Sequence, residues 1–414
     1  MNRVIHHCQS CQSPLTRTFV DLGLSALANA FVSLPLGTGA PDKAYPLHAR
    51  VCDHCFLVQV ESVVPPAEIF GDYAYFSSYT DSWLAHAEAY AEMVIGRFEL
   101  DQSSYVMEIA SNDGYLLRNF VRRGIPCLGI DPAANVAAVA RLNGVPTRVA
   151  FFGRALAEVL AGEGRLPDLI ASKNVLAHVP DINDFVAGVS RLLQGDAVYT
   201  VEFPHLLSLI EQVQFDTIYH EHFTYLSLLA VEPIFVRHGL RVFDAQEFST
   251  HGGSLRLFVC RAKAAWPAHA GVRSIRDKEH RAGLDRPEGY AGFGDRVRQV
   301  GNELLAYLNR AKAEGRRVAA YGAAAKGNTI LNYCSIGPDL ICYAVDRNPV
   351  KQNTLLPGSR IPVYAVERLT DDPVDDILIL PWNLRDEIIA KFAWLGDKGC
   401  RFVTAIPCLE IVEN

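Results

Sequence analysis

At 414 residues the chain is too long for a single compact core, so two or three domains are expected. Half of it is hydrophobic and 21% is charged, an ordinary globular balance, and a formal net charge of −7 excludes nucleic-acid binding driven by bulk electrostatics while leaving room for a local basic pocket. No apolar run approaches the roughly 20 residues of a membrane span, no charged-then-apolar leader pattern opens the chain, and ten cysteines point to thiols or metal rather than a disulfide framework, so a cytoplasmic enzyme is expected.

The first segment, residues 1–70, carries Cys8-x-x-Cys11 and Cys52-x-x-Cys55. Each pair brings two thiolates onto one tight turn, and two such knuckles can close a tetrahedral S4 site around zinc. Thiol redox chemistry is the competing reading. His6, His7 and His54 lie beside the knuckles and could replace a ligand. With sulfur at all four positions the metal would hold the fold and leave no open position for substrate. The gap between the pairs predicts loops and strands of its own.

The second segment, 71–265, alternates short apolar runs with amphipathic stretches, the pattern of βαβ units and a parallel sheet. Strands are predicted at Tyr105–Ile109, Cys127–Ile130, Thr147–Ala150, Asp168–Ala171 and Ala197–Val201, with two later ones at Leu240–Asp244 and Ser254–Cys260. Five parallel strands with two later ones suit a methyltransferase-type sheet better than a six-stranded dehydrogenase sheet. A helix is predicted near Tyr115–Arg123, after the turn Ala110-Ser111-Asn112-Asp113-Gly114. In such sheets ligands sit at the carboxyl ends of the strands, which makes Glu108, Ala110, Asn112, Asp131, Pro132, Phe152 and Lys173 the candidate cofactor contacts. Asp131 is placed to grip a ribose diol, and equally to cap the next helix. One glycine in the first turn, where a dinucleotide fingerprint wants three, argues against a pyrophosphate there; S-adenosylmethionine, which carries none, fits. Phe151 and Phe152 could flank its adenine or be core residues.

An insertion before the last two strands reads Phe215-Asp216-Thr217-Ile218-Tyr219-His220-Glu221-His222-Phe223-Thr224-Tyr225. Two imidazoles, a carboxylate and a phenol in four consecutive positions among aromatic neighbours suggest a general base beside a cofactor. The plainer reading is a polar helix end with one histidine satisfied in the core. The third segment, 266–414, opens with a long helix near Phe293–Gly315, then a strand at Arg317–Tyr321 leading into Gly322-Ala323-Ala324-Ala325-Lys326-Gly327-Asn328. Small residues let backbone amides approach an anion and Lys326 adds a full charge, so this turn reads as a phosphate site or, alternatively, as a helix entry without a ligand. A strand at Leu340–Val345 would end on Asp346, paralleling Asp131 and giving a second Rossmann-like unit.

With these residues in place, the chain resembles, over essentially its whole length, the S-adenosylmethionine-dependent sugar C-methyltransferases that act on nucleotide-linked 4-keto sugars. The Tyr219–His222 run, Asn174 and His178 after the fourth strand, the Tyr321–Asn328 loop and the four cysteines carry that resemblance. It implies an α/β chain with a zinc domain, a central class I methyltransferase domain and a C-terminal Rossmann-like domain. It further implies methylation next to the ketone, at C-3 of a deoxysugar, with His222 as the base. Tyr219, Asn174 and His178 would lie near the keto oxygen or hold the sugar, and Glu221 would orient an imidazole or bind a polar substituent. Tyr73, Phe76 and Ser77 would wall the cleft, while Tyr321, Ala323, Lys326, Asn328 and Asp346 would hold the nucleotide diphosphate, dTDP ahead of GDP. Two rivals stand beside it: a nicotinamide-dependent oxidoreductase using the C-terminal unit, and a non-catalytic zinc-ribbon adaptor.

Overall fold

The computed structural model describes residues 3–4, 6–34, 42–65, 69, 77–79 and 81–412; Tyr73 and Phe76 lie outside the described residues. Strands such as Val106–Ile109, Leu169–Lys173 and Val198–Pro204 are buried nearly throughout, which their almost continuous apolar sequences allow because both faces of the sheet are covered. They belong to a seven-stranded sheet in the order Leu240–Phe248, Ser254–Arg261, Val198–Pro204, Leu169–Lys173, Val106–Ile109, Cys127–Asp131, Thr147–Val149. The last five strands of that order are parallel, and Ser254–Arg261 runs antiparallel to both its neighbours. Helix starts follow local chemistry: Asp181 accepts from the Asp184 N–H and Ser227 from the Ala230 N–H.

The C-terminal sheet is ordered Glu410–Val412, Arg401–Thr404, Asp376–Ile379, Val318–Tyr321, Ala344–Val345, Pro362–Tyr364, Thr354–Leu355, Val32–Ser33. Its middle strands, from Arg401–Thr404 to Pro362–Tyr364, are parallel. The helix Phe293–Ala313 buries Phe293, Val297, Val300, Leu304 and Leu308, a stripe at helical spacing, against the same core. The N-terminal sheet is antiparallel: Thr224–Tyr225, Val58–Val60, Ala44–Val51, Arg17–Ala26.

Two short pairings stitch the chain together. Val32–Ser33 from the cysteine-bearing segment forms the edge of the C-terminal sheet, and Thr224–Tyr225, directly after the histidine cluster, forms the edge of the N-terminal sheet. One hydrophobic core accordingly runs from Phe19, Leu47 and Val58 through Phe215 and Phe223 to Leu331 and Val403.

Two expected elements are shorter than predicted. The helix expected at Tyr115–Arg123 covers only Arg118–Val121, because Asn112 and Gly114 adopt left-handed backbone (φ 49° and 81°) and delay helix entry. The strand expected at Leu340–Val345 covers only Ala344–Val345, because Leu340 and Ile341 donate to the Gly337 carbonyl and close a turn instead.

Candidate active site

A cavity of about 900 Å³ lies between the carboxyl ends of the two large sheets, with the histidine insertion forming part of its wall. At the central-sheet end the first turn is built on strained backbone: Ala110 (φ 55°), Asn112 (φ 49°) and, after the fourth strand, Asn174 (φ 54°) all sit in a region that side chains with a Cβ seldom adopt. Asp131 locks this turn, one carboxylate oxygen accepting from the Asn112 N–H and the other from the Ala133 N–H, each at 2.9 Å. Burial pushes its carboxyl above the ordinary range. Ser77 closes over the turn, its N–H donating to Asn112 Oδ1 at 3.0 Å. Ala110, Asn112, Asp131, Pro132, Phe152, Lys173 and Ser77 line the cavity. Phe151, 54% exposed, lines it too, and Phe152 packs edge-on against Phe185, so the pair divides between mouth and core. Glu108 lies fully buried behind the wall, where burial raises its carboxyl well above the usual range against the pull of Lys173. The Lys173 ammonium is held by Glu202 at 3.0 Å, and Arg256 shares that carboxylate. An acid at the strand end, an amide, exposed aromatic surface and the buried, unpartnered Asn174 Oδ1 form a donor set that fits a nucleoside carrying an amino-acid tail.

The histidines separate by role. His222 Nδ1 lies 2.8 Å from the Thr217 carbonyl, which can only accept, so Nδ1 carries the hydrogen and Nε2 presents a lone pair, 3.0 Å from the Tyr219 hydroxyl. His178 is fixed in the same way by the Glu221 carbonyl at 2.8 Å, and the two rings stand 4.6 Å apart. Burial, together with His178 and Lys326, holds the His222 imidazole well below the usual histidine range, and burial takes His178 down to about 4. Both are therefore neutral near pH 7. His220 points elsewhere: its Nε2 donates to the Pro46 carbonyl at 3.2 Å and its ring meets Tyr45 edge-on, outside the cavity wall. Glu221 lines the cavity, accepts from Asn29 Nδ2 at 2.6 Å, and is pushed up to about 7 by burial.

At the C-terminal end, Lys326 lines the cavity from the first turn of the helix Ala325–Tyr333, its ammonium 2.6 Å from Asn383 Oδ1 and 4.6 Å from the Trp382 ring centroid. Tyr321, Ala323, Asn328 and Asp346 lie behind this wall rather than in it. Asp346 repeats the role of Asp131, its two oxygens accepting from the Ala323 and Asn348 N–H groups, while Asn328 donates to the Ala28 carbonyl. Sequence reasoning missed Asn29, Trp83, His251, Lys351 and Trp382, all of which line the cavity. The one local signal among them was Thr250-His251-Gly252-Gly253: His251 is left-handed (φ 56°), and a Cβ on Gly252 would stand 2.3 Å from the Trp382 ring.

Away from the cavity the four cysteines converge. Cys8 and Cys55 sulfurs are 3.5 Å apart, Cys11 and Cys52 also 3.5 Å, and all four lie within 4.8 Å of one another. A tetrahedral zinc site with Zn–S of about 2.3 Å has sulfur edges of about 3.8 Å, so the cluster fits that ion. Gln59 Nε2 donates to Cys8 Sγ and the His54 N–H to Cys52 Sγ, which favours thiolate. The His6, His7 and His54 side chains stay outside the cluster, on exposed residues.

Three family models match the chain in succession: "Putative zinc binding domain" over residues 8–70, "Methyltransferase domain" over 83–245 and "C-methyltransferase C-terminal domain" over 249–407. Among curated relatives, C-methyltransferase NovU from Streptomyces niveus is 34% identical over 411 residues, spanning 99% of this chain and 98% of that protein. Ubiquinone biosynthesis O-methyltransferase from Bartonella quintana (strain Toulouse) is 29% identical over 97 residues, 23% of this chain and 39% of its own length. Among solved structures, magnesium protoporphyrin IX methyltransferase (ChlM) from Synechocystis PCC 6803 with bound SAM aligns at 14% identity and a TM-score of 0.34, covering 43% of this chain and 79% of that one. No described helix is long and apolar enough to cross a membrane. With a named relative matched from end to end, the chain belongs to the C-methyltransferase family.

Proposed function

We propose that the chain is a cytoplasmic enzyme that transfers a methyl group from S-adenosylmethionine to the carbon beside the ketone, C-3 by family resemblance, of a nucleotide-linked 4-keto deoxysugar. The observation that carries this reading is the tautomer of His222: its Nδ1–H is committed to the Thr217 carbonyl, so a neutral, lone-pair-bearing Nε2 stands at the cavity wall. A hydrogen next to a ketone is acidic because its conjugate base is an enolate, and taking it requires a base in contact and a donor for the oxyanion. His222 Nε2 accepts the proton; Tyr219, Asn174 and His178 surround the keto group, and Glu221 takes a polar substituent of the sugar. Asp131 and Asn112 hold the ribose and Lys173 the far end of the methyl donor, with Ser77 over them. Bound S-adenosylmethionine supplies an electrophilic methyl on sulfonium. Lys326 and the start of its helix hold the diphosphate of the sugar nucleotide, dTDP ahead of GDP. Cys8, Cys11, Cys52 and Cys55 hold a structural zinc. The working division is 1–70, 71–265 and 266–414.

His222→Ala and His222→Asn should leave both ligands bound, read by calorimetry, while lowering kcat by roughly 10²- to 10⁴-fold, the scale of general base catalysis. Lost binding with kcat retained overturns the assignment, and NMR of the product separates C-3 from C-5 methylation.

A further inference from the structure

Thr217, whose carbonyl sets the His222 tautomer, is flanked on both sides by anchors to the C-terminal unit. Before it, Asp216 is 1% exposed and its Oδ2 accepts from Trp382 Nε1–H at 2.7 Å. After it, the Ile218 carbonyl accepts from the Thr329 hydroxyl at 3.3 Å, and Thr329 sits three residues beyond Lys326 on the same helix. Lys326 rests over the Trp382 ring, and Asn383, beside Trp382, accepts from its ammonium. Gly252 (φ 90°) also confines the ring, coming so near that a Cβ there would stand 2.3 Å away. Lys326, Trp382, Asp216, Thr217 and His222 therefore form one continuous chain of contacts 2.7–4.6 Å long at each link outside the backbone.

We propose that Asp216 and Trp382 are positioning residues that tie occupancy of the Lys326 end of the cavity to the orientation of His222. An anion drawn to Lys326 competes with Asn383 and the Trp382 ring for the ammonium. Any shift of Trp382 passes through its indole N–H to Asp216, and from there to the carbonyl that orients the base. Binding energy from the non-reacting end of the substrate is thereby used on kcat rather than on affinity alone. The link rests on the reading that Lys326 holds the diphosphate. The path is a chain of ring contacts and hydrogen bonds, and double-mutant kinetics measure the coupling it carries.

Trp382→Phe keeps the ring under Lys326 and removes only the N–H. It should lower kcat roughly tenfold or more, the loss expected for a hydrogen bond to a charged group, while the KM for the sugar nucleotide moves less than about threefold. Asp216→Ala should match it, Asp216→Asn, which can still accept, should recover most of the loss, and Asp216→Ala added to Trp382→Phe should cost little more. A lowered melting temperature with wild-type kcat in Trp382→Phe would make the contact merely structural, and a rise in KM alone would make Trp382 a binding residue; either overturns the proposal. If Trp382→Phe does not fold, the Asp216→Ala and Asp216→Asn pair decides by the same kcat criterion. The underlying reading fails separately: an unchanged KM in Lys326→Ala removes the diphosphate assignment, whereas a raised KM there beside wild-type kcat in Trp382→Phe removes the link alone.

Discussion

Within four consecutive residues the protein divides three tasks. His220 braces the Pro46 carbonyl, Glu221 faces the cavity, and His222 donates its Nδ1–H to the Thr217 carbonyl and so offers a lone pair on Nε2. Since His222 is held well below the usual histidine range and His178 at about 4, neither imidazole titrates near neutrality, whereas burial pushes the Glu221 carboxyl up to about 7. Its carboxyl is protonated below that value and ionised above it. If the ionised form accepts from the sugar, kcat/KM falls as pH drops through about 7, and Glu221→Gln removes that limb while leaving the lower imidazole limb. A limb near pH 7 that persists in Glu221→Gln assigns it elsewhere. The sequence displayed this cluster but not its division of labour, because adjacent side chains diverge and only the carbonyl each ring meets decides which one faces the cavity.

Strand ends and the turns that follow them supply most of the cavity, and these were legible wherever chemistry is local. Asp131 could be picked from an apolar run followed by a polar turn and Lys326 from one followed by a turn of small residues, and both line the wall. The family resemblance also pointed to Asp346, Ala323 and Asn328, which sit behind it. Asp346 is committed to two backbone N–H groups, and the chain turns so that Lys351, five residues later, reaches the cavity instead. Lys351 and Trp382 carry no local motif; tertiary packing alone brings them in. Lys326→Ala should raise the KM for the sugar nucleotide about tenfold or more, by loss of a charged hydrogen bond to the diphosphate, with a smaller effect on S-adenosylmethionine. Steady-state kinetics with each substrate varied will tell, and a larger effect on the methyl donor reverses the roles of the two ends.

Across the whole molecule, the segments are not beads on a string. The seven-stranded sheet was legible because its central strands are buried on both faces and read as apolar runs, whereas the two stitching pairs, Val32–Ser33 and Thr224–Tyr225, are too short for any pattern to reveal. Thr224–Tyr225 ties the histidine insertion to Val58–Val60, a few residues beyond Cys55. Purified protein should therefore hold about one zinc per chain whether or not substrate is present. Cys52→Ser should lower the melting temperature before it alters chemistry in the molecules that remain folded. Metal analysis that finds none, or zinc that exchanges with substrate, removes the structural assignment. The central claim is that His222 takes a proton from the carbon beside the ketone, and it is tested most directly without any methyl transfer. In deuterated water, with a nucleotide-linked 4-keto sugar and no methyl donor, the intact enzyme should wash deuterium into that carbon, and His222→Ala should lose this exchange in parallel with methylation. Exchange at the wild-type rate in a folded His222→Ala that cannot methylate would contradict the account and pass the role of base to Tyr219 or His178, which also line the cavity.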